Sequence, residues 1–307
     1  MRGETETTRD DAAAAVTAAP ERPRRPRLLD EFTSERQVFE PHRVGLPPLI
    51  PYIRTLWQRR EFALELSRTE LRAQHFNTVF GQLWLVLNPL LLALVYFILV
   101  DILRHHSRGA PYLAHLMAGL FAYYFVQGSI REGAKTVVNG GKLILNTAFP
   151  RVLLPLAAVL TAFMRFLPTF VVYGAMHAVA GLPLRATVLW TPLIIFLLAV
   201  LALGLAMLVA ALQVYFRDLQ SFLPYLLRIW LYVSPVLYYA HEVPGGYSIL
   251  LKANPLAPLL IAWSDALNQG ITPPAKVLAL GAAWAFVLFV VGGWFFVSRE
   301  RDFAVRI

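Results

Sequence analysis

The chain has 307 residues, of which 57% are hydrophobic and only 15% are charged, whereas a soluble domain carries about 25% charged residues. This composition argues against a soluble enzyme, and the absence of cysteine excludes disulfides, thiolate metal sites and cysteine nucleophiles. The net charge of +9 arises after residue 50, because the first 50 residues hold 8 basic and 9 acidic side chains, so a basic arm for nucleic acid is not expected.

Residues 1–50 form a polar segment rich in Ala, Pro, Arg and Glu. A secretory signal would need a short apolar core behind a basic start, and this segment has none. Segments of low hydrophobicity and high charge cannot bury enough apolar surface to fold. We predict a disordered cytoplasmic leader over residues 1–50.

Residues 51–77 are predicted to form an amphipathic helix. The segment begins at Pro51, a residue type favoured in the first turn of a helix, and then places apolar residues at helical spacing among basic ones. The basic residues are Arg54, Arg59, Arg60, Arg68 and Arg72. Such a helix lies along a membrane surface, here the cytoplasmic one. Its arginines either collect anionic lipid headgroups or serve only as a topology signal.

Residues 78–307 are predicted to form an all-α integral membrane domain. Six apolar segments have about the 20 residues that a helix needs to cross a bilayer. They cover residues 80–103, 112–131, 152–178, 188–214, 221–240 and 276–297. With six spans, the side of the membrane that holds both termini carries 21 Lys and Arg residues and the other side carries 5, so both termini are expected in the cytoplasm.

The uncharged segment 253–264 lies between the fifth and sixth predicted spans. It has only 12 residues and contains Pro255 and Pro258, so it is too short to cross a bilayer. Irregular backbone at membrane depth must be covered by protein or face water. We predict short re-entrant helices there, which dip into the outer leaflet.

Motifs for an active site are absent from the sequence. It contains no G-x-x-x-x-G-K-[ST] loop for nucleotide phosphates, no H-E-x-x-H and no G-x-S-x-G. An ATPase would therefore have to be a separate chain. His105 and His106 have no carboxylate beside them, so a metal site is not expected there. We predict neither catalysis nor a cofactor in this chain.

Arg165 and Arg228 lie inside predicted spans. An arginine in hydrocarbon is costly unless it is paired or faces water. Each of the two therefore either faces a substrate path, or is accommodated by an ion pair or by reaching towards the membrane surface. Both are candidate pathway residues.

Aromatic residues cluster in the second and fifth predicted spans. The candidates for lining a path are Tyr123, Tyr124, Phe125, Trp230 and Tyr232. Flat amphipathic rings stack on sugar faces, although Tyr and Trp are also enriched at membrane interfaces. Neighbouring residues on a helix are about 100° apart, so only one of Tyr123 and Tyr124 is expected to face a narrow path. The same reasoning applies to Trp230 and Tyr232.

Four motifs in a fixed order resemble those of a known family. They are VFGQLW at 79–84 with NPL at 88–90, NGGKLI at 139–144 leading to FPR at 149–151, YFRD at 215–218 with VSPVLY at 233–238, and NPL at 254–256. On a six-span scaffold they resemble the membrane subunits of ABC-2 type polysaccharide exporters. The charged leader and Arg165 are most similar to the Wzm-type permeases of actinobacteria, including mycobacteria, that export lipid-linked galactan.

The resemblance implies a transport subunit without its own ATPase. Two copies of this chain would enclose a pore in the cell (inner) membrane and bind two copies of an ABC ATPase, which holds ATP and Mg. The substrate would be a polyprenyl-diphosphate-linked polysaccharide, and membrane lipids would surround the dimer. The resemblance places ATPase coupling at Lys142, Asn146, Phe149 and Arg151, and an outer gate at Asn254 and Pro255.

Several alternatives remain open from the sequence. A permease for teichoic acid or O-antigen would share the motifs, and an ABC-2 exporter of small lipophilic drugs would share the fold but prefer a narrower, more apolar path. A membrane glycosyl or lipid transferase would need paired carboxylates, whereas the acids here are isolated. A channel or scaffold would work without an ATPase. An ATPase gene beside this one, with or without glycosyltransferase genes, would separate these alternatives.

Overall fold

The structure is a computed structural model that describes residues 48–74, 80–104, 109–179, 181–183 and 185–307. Most of the leader predicted over residues 1–50 lies outside the described residues. So do the end of the predicted amphipathic helix (75–77), Val79 of the first motif, and the pair His105 and His106.

The described residues form α-helices joined by turns and contain no strand, which confirms the all-α fold. A chain that crosses hydrocarbon must satisfy its own backbone N–H and C=O groups, and a helix does so within itself. The helices are α1 (Leu49–Gln58), α2 (Arg60–Gln74), α3 (Trp84–Arg104), α4 (Gly109–Asn139), α5 (Gly141–Asn146), α6 (Leu153–Val179), α7 (Thr191–Tyr215), α8 (Leu219–Val233), α9 (Ser248–Ala253), α10 (Ala257–Ser264), α11 (Ala275–Arg299) and α12 (Phe303–Arg306).

Among the described residues, four helical segments are long and apolar enough to cross a membrane. They are α4, α6, the segment Ala186–Tyr215 that contains α7, and the segment Ala275–Arg306 that begins with α11. These four agree with the second, third, fourth and sixth predicted spans. The chain is therefore a multi-pass membrane protein. At 31 residues, α4 is about 46 Å long and extends beyond the ~30 Å of hydrocarbon.

The first and fifth predicted spans are shorter as apolar helices than the sequence suggests. The apolar part of α3 is Val86–Leu99, and α8 has only 15 residues. The predicted fifth span, 221–240, is wrong at its C-terminal end, because α8 stops at Val233. Ser234 is extended (φ −89°, ψ 147°), as residues before a proline generally are. The count of six spans therefore stays a prediction.

The described part of the predicted amphipathic segment 51–77 belongs to two helices, α1 and α2, which are separated at Arg59, and α1 begins two residues earlier than predicted, at Leu49. The second of them is anchored to the bundle, because Ala63 and Ser67 are fully buried and Ser67 Oγ lies 3.8 Å from Met164 Sδ on α6. Leu56 of α1 also packs on the core, but four apolar side chains of α1 remain exposed. They are Leu49, Ile50, Ile53 and Trp57. The surface expected of an interface helix is thus presented mainly by α1.

Glycines bring the central helices of the bundle into close contact. At the contact of α7 with α11, a Cβ on Gly204 would lie 2.5 Å from the backbone carbonyl of Leu288, and a Cβ on Gly292 would overlap the carbonyl of Gly204. At the contact of α4 with α7, a Cβ on Gly133 would lie 2.7 Å from the Cβ of Ala206. Small residues at such contacts let membrane helices approach closely.

Replacing Gly204 with Ala should destabilise the protein, because the added methyl group meets the backbone of α11, which cannot move aside by rotating a side chain. Overpacking of this kind costs about 1–3 kcal/mol, which is measurable as a lower melting temperature in detergent. Gly174→Ala on α6 is the matched control, since no atom lies within 4 Å of its added Cβ. Equal melting temperatures for the two variants would contradict the close contact.

Candidate functional site

A cavity of about 640 Å³ opens between α3, α4, α6 and α8. We name it the arginine cavity, because Arg131, Arg165 and Arg228 line it together with aromatic and polar residues. Its volume falls in the range of ~300–1,000 Å³ that is typical of small-molecule sites. Both arginines predicted to lie on a pathway, Arg165 and Arg228, are thus brought to one cavity.

The three arginines come from three different helices and differ in exposure. Arg165 is half-buried and lies about 18 Å along α6 from its first residue, whereas Arg131 on α4 and Arg228 on α8 are exposed. Guanidinium groups form bidentate, charge-assisted hydrogen bonds with phosphates and carboxylates. The cluster therefore has the chemistry to hold an anion that carries more than one negative charge.

Two carboxylates, Glu132 and Glu70, lie beside this cluster. Glu132 Oε1 is 3.6 Å from Arg131 Nη2, and Glu132 Oε2 is 3.9 Å from Lys135 Nζ. Burial, followed by the nearby Glu132 carboxylate, raises the pKa of Glu70, while Arg165 and Lys135 oppose this shift. The cations around the cavity outnumber these two acids, so positive charge remains for a ligand.

The aromatic residues predicted from the second span divide between two environments. Tyr124 and Phe125 line the arginine cavity, and the Phe125 ring stacks on Phe166 with centroids 5.4 Å apart. Tyr123 is not among the lining residues, since it is 1% exposed and its hydroxyl donates to the carbonyl of Leu227 on α8. One of the two tyrosines therefore faces the cavity and the other joins α4 to α8.

The residues predicted from the fifth span divide in the same way. Tyr232 lines the arginine cavity, whereas Trp230 points to the segment before α10: its Nε1 donates to Asn254 Oδ1 at 2.8 Å. Asn254 is buried, and its Nδ2 donates to Ser234 Oγ at 2.9 Å. Of the two predicted outer-gate residues, Asn254 thus ties this segment to the end of α8, and Pro255 follows in the next turn.

Several polar lining residues are not among the site residues predicted from the sequence. They include Asn88, Tyr96, Gln127, Arg131 and Thr169. A polar side chain within an apolar span is itself a signal, because burying it in hydrocarbon is costly, and this signal could have found Asn88, Gln127 and Thr169. Arg131 is hidden by its place at the end of the second predicted span, where an arginine is also a topology signal.

Two of the predicted coupling residues make contacts within the chain. The Arg151 backbone N–H donates to Glu300 Oε1 at 2.6 Å, and the Tyr52 hydroxyl donates to Glu300 Oε2 at 2.6 Å. Burial, followed by the Glu300 carboxylate, raises the pKa of the Tyr52 hydroxyl, which therefore stays protonated as a donor. Phe149 is half-buried, with its ring centroid 5.2 Å from that of Phe62. These contacts tie the loop before α6 to α1, α2 and the C-terminal segment.

The other two predicted coupling residues, Lys142 and Asn146, are exposed on α5. Leu145 lies beside them and is 63% exposed. The short helix is ordered locally, because Asn146 Nδ2 donates to the carbonyl of Lys142 at 2.8 Å. The arrangement presents an apolar side chain flanked by polar ones, which suits contact with another protein chain.

Comparison with known proteins identifies the family. The ABC-2 type transporter family matches residues 63–267, which include every residue that lines the arginine cavity. The O-antigen export system permease protein RfbA of Myxococcus xanthus is 30% identical over 265 residues, which cover 84% of this chain and 100% of that protein. A protein of the same name from Klebsiella pneumoniae is 27% identical over 240 residues, or 78% of this chain and 92% of that protein. The resemblance seen in the four motifs is thus confirmed, and the chain belongs to the ABC-2 type transporter family.

Proposed function

We propose that this chain is the membrane permease subunit of an ATP-driven exporter that carries a polyprenyl-diphosphate-linked polysaccharide out of the cytoplasm. The observation that carries the proposal is the arginine cavity, in which three arginines and several tyrosines meet inside an apolar helical bundle. The names of the relatives, which are O-antigen export permeases, support this class of cargo. In this proposal the chain makes and breaks no covalent bond.

The two kinds of wall in the cavity match the two chemical parts of such a substrate. The guanidinium groups suit the diphosphate, which each can bind with two parallel hydrogen bonds. The rings of Tyr124 and Tyr232 offer faces for sugar rings and hydroxyls that donate and accept hydrogen bonds. A volume of about 640 Å³ can hold the diphosphate with the first sugars but not the whole polymer. The glycan would therefore have to pass through the cavity a few sugars at a time.

A second copy of this chain would complete the path. Arg228 is exposed and Tyr232 is 49% exposed on the face of α8 that lines the cavity. An arginine that faces lipid is costly, whereas an arginine that faces a water-filled path is not. A second copy packed across this face would remove Arg228 from lipid and join two cavities. We therefore propose a homodimer in the cell (inner) membrane, with the positive-inside pattern supporting cytoplasmic termini.

Two copies of an ABC ATPase, which hold ATP and Mg, would supply the energy. The exposed residues of α5 are the proposed contact, because an apolar Leu145 lies there between Lys142 and Asn146. A push on α5 would reach the loop before α6, which is bonded to Glu300 through Arg151. In this way the ATPase would act on several helices of the bundle at once.

The narrower identity of the polysaccharide is proposed to be galactan, from the charged leader and Arg165. The names of the relatives favour O-antigen as the alternative, and teichoic acid shares the same lipid-linked chemistry. A small lipophilic drug suits the cavity poorly, because three arginines line it. Depleting the chain from its native cells and identifying the lipid-linked glycan that accumulates would distinguish these cargoes.

Replacing Arg228 with Gln should weaken the binding of undecaprenyl diphosphate to the permease–ATPase complex. A hydrogen bond to a charged group contributes about 1.5–3 kcal/mol to binding. Losing it should therefore raise the Kd roughly ten- to hundredfold. Because Arg228 is exposed, its replacement should leave the fold unchanged. Native mass spectrometry of the complex in nanodiscs measures the effect, and Arg228→Lys should restore part of the binding.

Two tyrosines on α8 provide a test with a matched control, because a mutation at either one disturbs the same helix. Tyr232 and Tyr225 are 49% and 66% exposed, but only Tyr232 lines the arginine cavity. Tyr232→Ala should slow glycan export into inverted membrane vesicles, whereas Tyr225→Ala should leave it near the original rate. Unchanged lipid binding in Arg228→Gln together with equal export in the two tyrosine variants would refute the role of this cavity.

Replacing Lys142 or Leu145 with Asp should release the ATPase from the permease, because each change adds an acidic charge to the exposed face of α5. The measurement is copurification of the ATPase with the tagged permease. Lys252→Asp, the same change as Lys142→Asp at an exposed site on α9, should leave copurification unchanged. Phe149→Asp should instead lower the melting temperature of the permease alone, since Phe149 packs on Phe62. ATPase copurification that survives both α5 variants would move the contact elsewhere.

A further inference from the structure

A second cavity, of about 260 Å³, lies at the other end of α4 from Arg131. It is formed by the start of α4, the segment that follows α8, and α10 with the π-helical turn Asp265–Gln269. We name it the imidazole cavity, because His115 and His241 line it. The cavity reaches the surface, since His241 is exposed and Ile271 at its edge is 49% exposed.

One wall of the imidazole cavity is a set of flat rings. The rings of Tyr239 and His241 are stacked, with centroids 5.2 Å apart and planes inclined by 18°. The His115 ring lies 4.2 Å from Tyr239 and is held in place by Ser264 Oγ, which is 2.6 Å from its Nδ1. The rings therefore form an ordered stack whose exposed member is His241, and the apolar face of a sugar can stack on such a ring.

The other wall offers hydrogen-bonding groups. Asp265 and Gln269 lie one helical turn apart on the π-helical turn, and both line the cavity. Burial raises the pKa of Asp265 to about 6, and His241 opposes this shift. A carboxylate accepts hydrogen bonds from hydroxyls, and an amide both donates and accepts them. An aromatic ring beside such groups suits a polyol.

Two other ligand classes fit this cavity poorly. Among the described residues that line it there is no Lys or Arg to bind a phosphate or a carboxylate. The two ring nitrogens of His115 lie 2.6 Å from Ser264 Oγ and 3.3 Å from the Tyr238 carbonyl, so neither is available to a metal ion. Within the described ranges no three His, Asp or Glu side chains come together as a metal site would require.

We propose that the imidazole cavity is a second glycan-binding subsite, which takes one uncharged sugar residue of the polysaccharide after it has left the arginine cavity. The proposal rests on the proposed export function and adds a contact at the far end of the path. His115 and Arg131 are separated by about 24 Å along α4, so the two cavities would hold different parts of one glycan chain. The volume of 260 Å³ lies below that of a drug-sized site, which fits a single sugar residue.

The test measures glycan binding to the complete permease–ATPase complex in nanodiscs. The probe is the oligosaccharide released by mild acid from the lipid-linked fraction of the native cells, labelled with a fluorophore at its reducing end. His241→Ala and Asp265→Asn should each weaken its binding at least tenfold in fluorescence anisotropy. Tyr247→Ala, an exposed tyrosine outside the cavity, is the matched control.

The melting temperature of each variant separates binding from folding. Because His241 is exposed, His241→Ala should retain its melting temperature even if Asp265→Asn does not. Glycan binding that is unchanged in His241→Ala, equally reduced in Tyr247→Ala, or absent from the original complex would overturn the subsite. Undecaprenyl diphosphate binding, measured on the same complex, reports on the proposed function independently. Its loss with intact glycan binding would refute the export proposal and leave the subsite standing.

Discussion

Close packing of small residues is the constraint on which this bundle depends. Apolar helices in lipid gain little hydrophobic free energy by touching one another, because lipid tails are equally apolar. They associate where their backbones come near enough for dispersion and weak polar contacts, as at Gly204 with Gly292 and at Gly133 with Ala206. These contacts fix α7 between α4 and α11. The helix α4 is largely buried by these contacts, and it contributes residues to both cavities.

The cost of polar groups in hydrocarbon explains why the arginine cavity lies where it does. Arg165 and Arg228 come from helices that are otherwise apolar, and each would be expensive against lipid. The cavity gathers them with Arg131 and several tyrosines, and Glu132 lies beside Arg131, so that polar groups meet one another. The rest of the described bundle surface can then remain apolar. The same segregation that makes the protein stable in the membrane also creates a polar compartment within it.

The sequence predicts best those features that follow from local composition. The long uncharged segments at α4, α6, α7 and α11 are readable because the bilayer imposes a length. The sequence places the end of the fifth span too late, at residue 240, because the mean hydropathy stays high through Pro235, whereas α8 ends at Val233. Helical spacing shows that only one of two adjacent tyrosines faces a path. The choice between Tyr123 and Tyr124 depends on a distant residue, because the Tyr123 hydroxyl donates a hydrogen bond to the carbonyl of Leu227, more than 100 residues away in the sequence.

Long-range contacts also decide how the helix α8 relates to the two cavities. One face of α8 carries Arg228 and Tyr232 at the arginine cavity. Another carries Trp230, which bonds to Asn254 just before α10, and α10 leads directly into the turn that bears Asp265. Because this 15-residue helix lines the arginine cavity and is hydrogen-bonded to Asn254, a displacement of α8 would alter the wall of that cavity and the support of the segment before α10 together. We therefore expect α8 to couple the two regions through these contacts.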